Sequence, residues 1–143
     1  MDGLLRETYG QALYRDLPYL FAEEKDGAHR KLRVSYMDAV SRLYSKNFNW
    51  QLGNWCREHG VEYIGHVVED NCGYMRLGAG VGHYFRAVEG QDMAGIDNIG
   101  YQLMPGNDIA TRHTGFQDIQ PAFYHYMLAK MGASAAAIYP KKR

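Results

Sequence analysis

An α/β fold with parallel strands is what this sequence predicts, and three observations predict it. A long helical pattern closes at Gly60. Directly after it, Val61-Glu-Tyr-Ile-Gly-His-Val-Val-Glu-Asp-Asn71 is rich in β-formers and ends in two adjacent carboxylates. A helix closed by Gly and followed by a short strand is how an α/β unit enters its sheet. The elements then alternate as α, β, α, β, α, which argues for parallel strands joined by right-handed crossovers with helices covering the sheet.

Each element has its own signal. From Glu7 to Ala22, Leu13, Leu17, Leu20 and Phe21 recur at three and four residues, and Gly10 and Pro18 break the segment into short helical pieces. Glu23–Arg30 is polar, contains Gly27 and reads as a loop. From Lys31 to His59, Met37, Val40, Leu43, Tyr44, Phe48, Leu52, Trp55 and Cys56 keep a helical period without proline. That helix would be about 42 Å long, with a bend expected near the weak formers Asn47, Asn49 and Gly53. Gly60 supplies the left-handed position that stops it. A strand is expected over Glu62–Val68, then a Gly-rich stretch from Cys72 to Gly82, a short helix over Val81–Val88 and a stop near Gly90. Ile99, Tyr101 and Leu103 alternate in a second strand, Asn98–Met104, ended by Pro105-Gly106. A last helix runs from Gln120 to Ile138, with Pro121 in its first turn.

Composition narrows the function classes. With 143 residues the chain has the size of one ordinary domain. Sixteen basic and sixteen acidic residues cancel, which argues against nucleic acid or a membrane surface as partner. No apolar run approaches the ~20 residues that cross a bilayer. Met1-Asp-Gly-Leu-Leu-Arg6 lacks the pattern of a signal peptide. Cys56 and Cys72 show no metal-type spacing and read as free thiols of a reducing, cytoplasmic compartment. The 12 Tyr, 5 Phe and 2 Trp are the one unusual count; such rings stack on sugars, but most here fall at helical core spacing. Two strands make neither a closed barrel nor a well-covered open sheet. The expectation is therefore a segment of a larger α/β fold, or a chain that needs a partner.

Four stretches carry a resemblance. The helix residues Tyr36-Met-Asp-Ala-Val-Ser-Arg-Leu-Tyr44, Asn47-Phe48 and Gly53-Asn-Trp-Cys-Arg-Glu-His-Gly60, the strand Tyr63-Ile-Gly-His-Val-Val-Glu-Asp-Asn71, and the later runs Gly90-Gln-Asp-Met-Ala-Gly-Ile-Asp97 and Phe123-Tyr-His-Tyr-Met-Leu-Ala-Lys130 are similar to parts of large bacterial glycoside hydrolases. The group they resemble is the α-L-rhamnosidase-like and related uncharacterised hydrolases with a (β/α)8 barrel. The similarity spans nearly the whole chain and is weakest before Leu32. It implies a partial (β/α)8 (TIM) barrel, with residues 1–30 as helical lead-in and 31–143 as βα units from the middle of the barrel. It also implies that the second catalytic carboxylate would follow Arg143. The chain is then expected to associate with the remainder of the barrel or with itself.

The chemistry implied is hydrolysis of O-glycosidic bonds, with a carbohydrate substrate and no cofactor. Such cleavage ordinarily needs two carboxyl groups flanking the bond. Glu69, ending a buried strand where desolvation raises a carboxyl pKa, is the candidate general acid; the plain alternative is a strand-end carboxylate paired with an arginine such as Arg76. Asp70 points to the opposite face from Glu69 and so cannot complete the pair. It would hydrogen-bond a sugar hydroxyl, orient Glu69, or cap the next turn together with Asn71. His66 and Gln102 are the remaining strand-end candidates for substrate contact, and a packed histidine is the commoner fate of a residue like His66. Asp92 would line the cleft or begin a helical turn. Gly78-Ala-Gly-Val-Gly82 lacks the Lys-Ser/Thr of a phosphate loop, and no HExxH, HxH or GxSxG motif occurs. No metal is assigned. A metal-dependent hydrolase on an α/β barrel and a non-catalytic carbohydrate-binding or structural remnant are the alternative readings.

Overall fold

The computed structural model describes residues 1–10, 12–23, 27–67, 81–96 and 123–139. These residues are mostly helical, around a two-stranded parallel sheet. The expected strand Asn98–Met104 and most of the glycine-rich stretch lie outside the described residues.

Helix α1 (Asp2–Tyr9) ends at Gly10, whose φ of 65° supplies the left-handed cap. Helix α2 (Leu13–Asp16) passes into a 3₁₀ turn, Leu17–Leu20, with Pro18 in its first turn. The expected short pieces are present, and α1 begins earlier than the apolar period indicated. Helix α3 (Ala28–Tyr44) follows. Its first turn corrects the loop expected over Glu23–Arg30: Gly27, at φ 76°, is where the helix starts, and His29 in that turn is buried.

The long helix does not simply bend near Asn47 and Asn49. A π-turn at Ser45–Asn49 interrupts it, and α4 (Trp50–Glu58) continues the axis. Its end at Gly60 has the expected form. Gly60 sits at φ 70°, its N–H donates to the Arg57 carbonyl at 3.2 Å, and the Val61 N–H reaches the Cys56 carbonyl at 3.0 Å. That double bond pattern closes the last turn and aims the chain into the sheet.

Strand β1 is Ile64–Gly65 alone, shorter than the expected Glu62–Val68. Helix α5 (Tyr84–Val88) is the core of the expected Val81–Val88 helix. Strand β2, Met93–Ala94, is an element the sequence pattern did not signal, and Asp92 precedes it rather than beginning a helical turn. A two-residue strand carries no period to read; tertiary bonds set it instead. The Asp92 N–H donates to the Tyr63 carbonyl at 2.8 Å and the Gly95 N–H to the Gly65 carbonyl at 3.0 Å. The strands are parallel, with Ile64 opposite Met93 and Gly65 opposite Ala94. A second π segment, Phe123–Leu128, leads into α6 (Ala129–Ile138).

The core lies on one face of this sheet. Val67, Tyr84, Ala87, Val88 and Ala135 are buried together, with Tyr44, Val81, Phe85, Ala94 and Met131 packed around them. Successive strand residues point to opposite faces. Gly65 and Ala94 are half-buried, while Ile64 and Met93 stay 56% and 48% exposed. Among the described residues no helix is long and apolar enough to cross a membrane.

Candidate functional site

The carboxyl-terminal ends of parallel strands are where α/β folds place their chemistry. Glu69, Asp70, Asn71 and Gln102 lie outside the described residues. His66 is described: it follows β1 directly, on the expected side, with an exposed ring. Its Nδ1 stands 3.1 Å from the Val67 carbonyl, a bond that requires the proton on Nδ1.

Asp92 is at the other end. It precedes β2, and its side chain is 4% exposed. One carboxylate oxygen accepts from Arg57 at 3.0 Å, the other from the Tyr63 N–H at 2.8 Å. Arg57 also reaches the Gly90 carbonyl at 3.3 Å and Asn54 at 2.9 Å, with its guanidinium 5.8 Å from the Trp50 ring centre. A small cleft of about 210 Å³ opens here, lined by Trp50, Arg57, Glu89, Gln91, Asp92, Ile138 and Tyr139. Asp92 lines a cleft at the amino-terminal end of the strands, the end opposite to the one where α/β folds place their chemistry. Its carboxylate locks helix α4 to the start of β2. Gln91 adds to the lock: its amide nitrogen donates to the carbonyls of Gly65 at 2.8 Å and Met93 at 3.1 Å.

Sequence reasoning missed the joint beside this cleft. Asn49, on the π-turn, is 1% exposed. It donates to the Ala87 carbonyl and accepts from the Tyr63 hydroxyl at 3.0 Å. Burial raises the Tyr63 pKa, which keeps that hydroxyl a donor. Ser45, one turn earlier, donates to Glu89 at 3.1 Å. Gly90 lies so close that an added Cβ would meet the Asn49 carbonyl carbon at 2.5 Å, and a Cβ on Gly53 would run into the Gly90 carbonyl oxygen. The signal available was the cluster of weak helix formers Asn47, Asn49 and Gly53 in an otherwise helical run.

A second polar hub ties three helices together near Asp38. Its carboxylate receives Tyr9 from α1, Arg42 from its own helix at 3.0 Å, and Arg86 from α5. Burial alone would raise the Asp38 pKa; the hydrogen bonds from Tyr9, Arg86 and Arg42 outweigh it and hold the group at about 2. The same bond raises the Tyr9 pKa. Arg86 further donates to Ser41 at 2.8 Å. These bonds run between members of the hub and fasten α1, α3 and α5 to one another.

Among the described residues no group of three His, Cys, Asp or Glu stands together as metal ligands. Comparison of the chain with protein-family models, with curated proteins and with solved structures gave no match.

Proposed function

We propose that this chain forms βα units of a glycoside hydrolase barrel, with Glu69, which follows β1 in the sequence, as general acid. The observation that carries the reading is the two-sided character of the parallel pair. Helices cover one face, and on the other Ile64 and Met93 stand side by side and exposed. In a closed (β/α)8 barrel such inward-pointing apolar residues meet those of other strands in layers. The sequence resemblance supplies the substrate class, which fold alone never does. His66, Asp70, Asn71 and Gln102 would contact the sugar, and a second carboxylate would come from a further strand.

Turnover of aryl glycosides by the chain, alone and supplied with polypeptide carrying the further strands, tests the proposal. Glu69→Gln should lower the rate by about 10²- to 10⁴-fold, the usual contribution of a general acid. Wild-type turnover in that variant removes Glu69 from the role. Sugar binding without turnover, unchanged by the substitution, makes the chain a binding module instead.

A further inference from the structure

Helix α5 is five residues long, far below the length at which a helix holds itself in water. Yet it positions much of the molecule. Ala87 offers its carbonyl to Asn49, Arg86 reaches Asp38 and Ser41, and the Tyr84 hydroxyl donates to the Gly95 carbonyl at 3.1 Å. What starts this helix therefore matters, and what starts it is a histidine. His83 takes the cap position in extended conformation, and its Nδ1 accepts the N–H of Arg86 at 3.3 Å.

Caps are usually Ser, Thr, Asp or Asn, whose oxygens accept at any pH near neutrality. A histidine Nδ1 accepts only while the ring is neutral with its proton on Nε2. We propose that His83 is an acid-sensitive latch on α5: as the neutral ring it holds the first turn, and as the imidazolium it releases it. Protonation acts twice in the same direction. It removes the acceptor, and it places a cation at the positive end of the helix, beside Arg86.

The surroundings set the window. Burial lowers the His83 pKa and the Arg86 charge lowers it further, while a hydrogen bond to the residue's own backbone and the Asp38 carboxylate on α3 oppose them with smaller effect. Of the other titratable groups in that hub, the Arg42 cation and the neutral Tyr9 phenol are both bound to Asp38. Gly82, at φ 77° and against Met37 of α3, fixes the approach of the chain to the cap. A depressed folded-state pKa means the latch is closed above the ordinary histidine value of 6.5 and opens as pH falls below it.

The test uses the whole chain. Nitrogen-15 spectra of the imidazole at pH 8 should show His83 with its proton on Nε2. Followed to lower pH, the same spectra give the midpoint of the His83 titration, and amide exchange at Arg86 and Ala87, corrected for the intrinsic pH dependence, should lose about five- to tenfold in protection across it. His83→Asn keeps an accepting oxygen without titrating there, so it should hold that protection constant. A proton on Nδ1, or wild-type protection as indifferent to pH as that of the variant, overturns the proposal. Should His83→Asn fail to fold, the tautomer in the unmodified protein decides the matter.

Discussion

The two ends and faces of the small sheet are built to different standards. At its amino-terminal end buried polar groups are tied together and backbones touch: Asp92 is held by Arg57 and Tyr63, Asn49 by Ala87 and Tyr63, and Gly90 rests on the π-turn. On the face away from the helices, Ile64 and Met93 stand in register with about half their surface exposed. The first region is closed; the second presents two apolar side chains to solvent among the described residues.

Substitutions should separate the two regions sharply. The largest effect is expected from Gly53→Ala. Its Cβ would enter the Gly90 carbonyl oxygen, a backbone atom that cannot turn aside, so denaturant titration should show a loss of about 3 kcal/mol or more. Arg57→Met takes the cation away from the buried Asp92 carboxylate, and should cost about 3 kcal/mol, the lower end for breaking a buried pair. Replacing Asp92 by Asn in that background should recover part of the loss. Asn49→Ala strips the Ala87 carbonyl and the Tyr63 hydroxyl of their partner at once, a loss of about 2 kcal/mol in the same titration.

Acid should probe the Asp38 hub separately. The folded-state pKa of about 2 lies below the ordinary 3.8. Its contribution is therefore complete above pH 4 and disappears as pH falls towards 2. Thermal melts of Asp38→Asn should lack that part of the acid limb. Smallest of all should be Ile64→Thr or Met93→Thr, within about 0.5 kcal/mol if the face is solvent-exposed. A loss of several times that amount would mean that the face is covered in solution, and would break the contrast.

The elements that were legible in the sequence are those that local chemistry fixes. Gly10 and Gly60 end helices because left-handed backbone suits glycine, and the apolar period from Met37 to Cys56 places the long helix. Residues Asn47 and Asn49 mark the irregular turn, though not its π form. The parts that stayed hidden depend on distance along the chain. Arg57 meets Asp92 thirty-five positions later, and Asn49 meets Ala87 thirty-eight later. No window of residues contains both partners. Strand β2 was unreadable for the same reason, since two residues cannot display an alternation. Asp92 shows the limit for the site as well: a carboxylate in a loop rich in Gly and Asp reads as a ligand contact until its neighbour across the fold is known.

The π-turn at Ser45–Asn49 has a mechanical consequence. Relative to an unbroken α-helix, it inserts about one extra residue per turn, which shifts the phase of everything downstream by roughly 100°. Helix α3 is thus timed to present Asp38 and Ser41 to Arg86, and α4 to present Gly53 and Arg57 to the loop before β2. A straight rod of the same sequence could keep one of those appointments but not both. Removing a single residue from that turn would take out the extra residue and leave a regular α-helix whose two halves keep their present phase, so both hubs should survive.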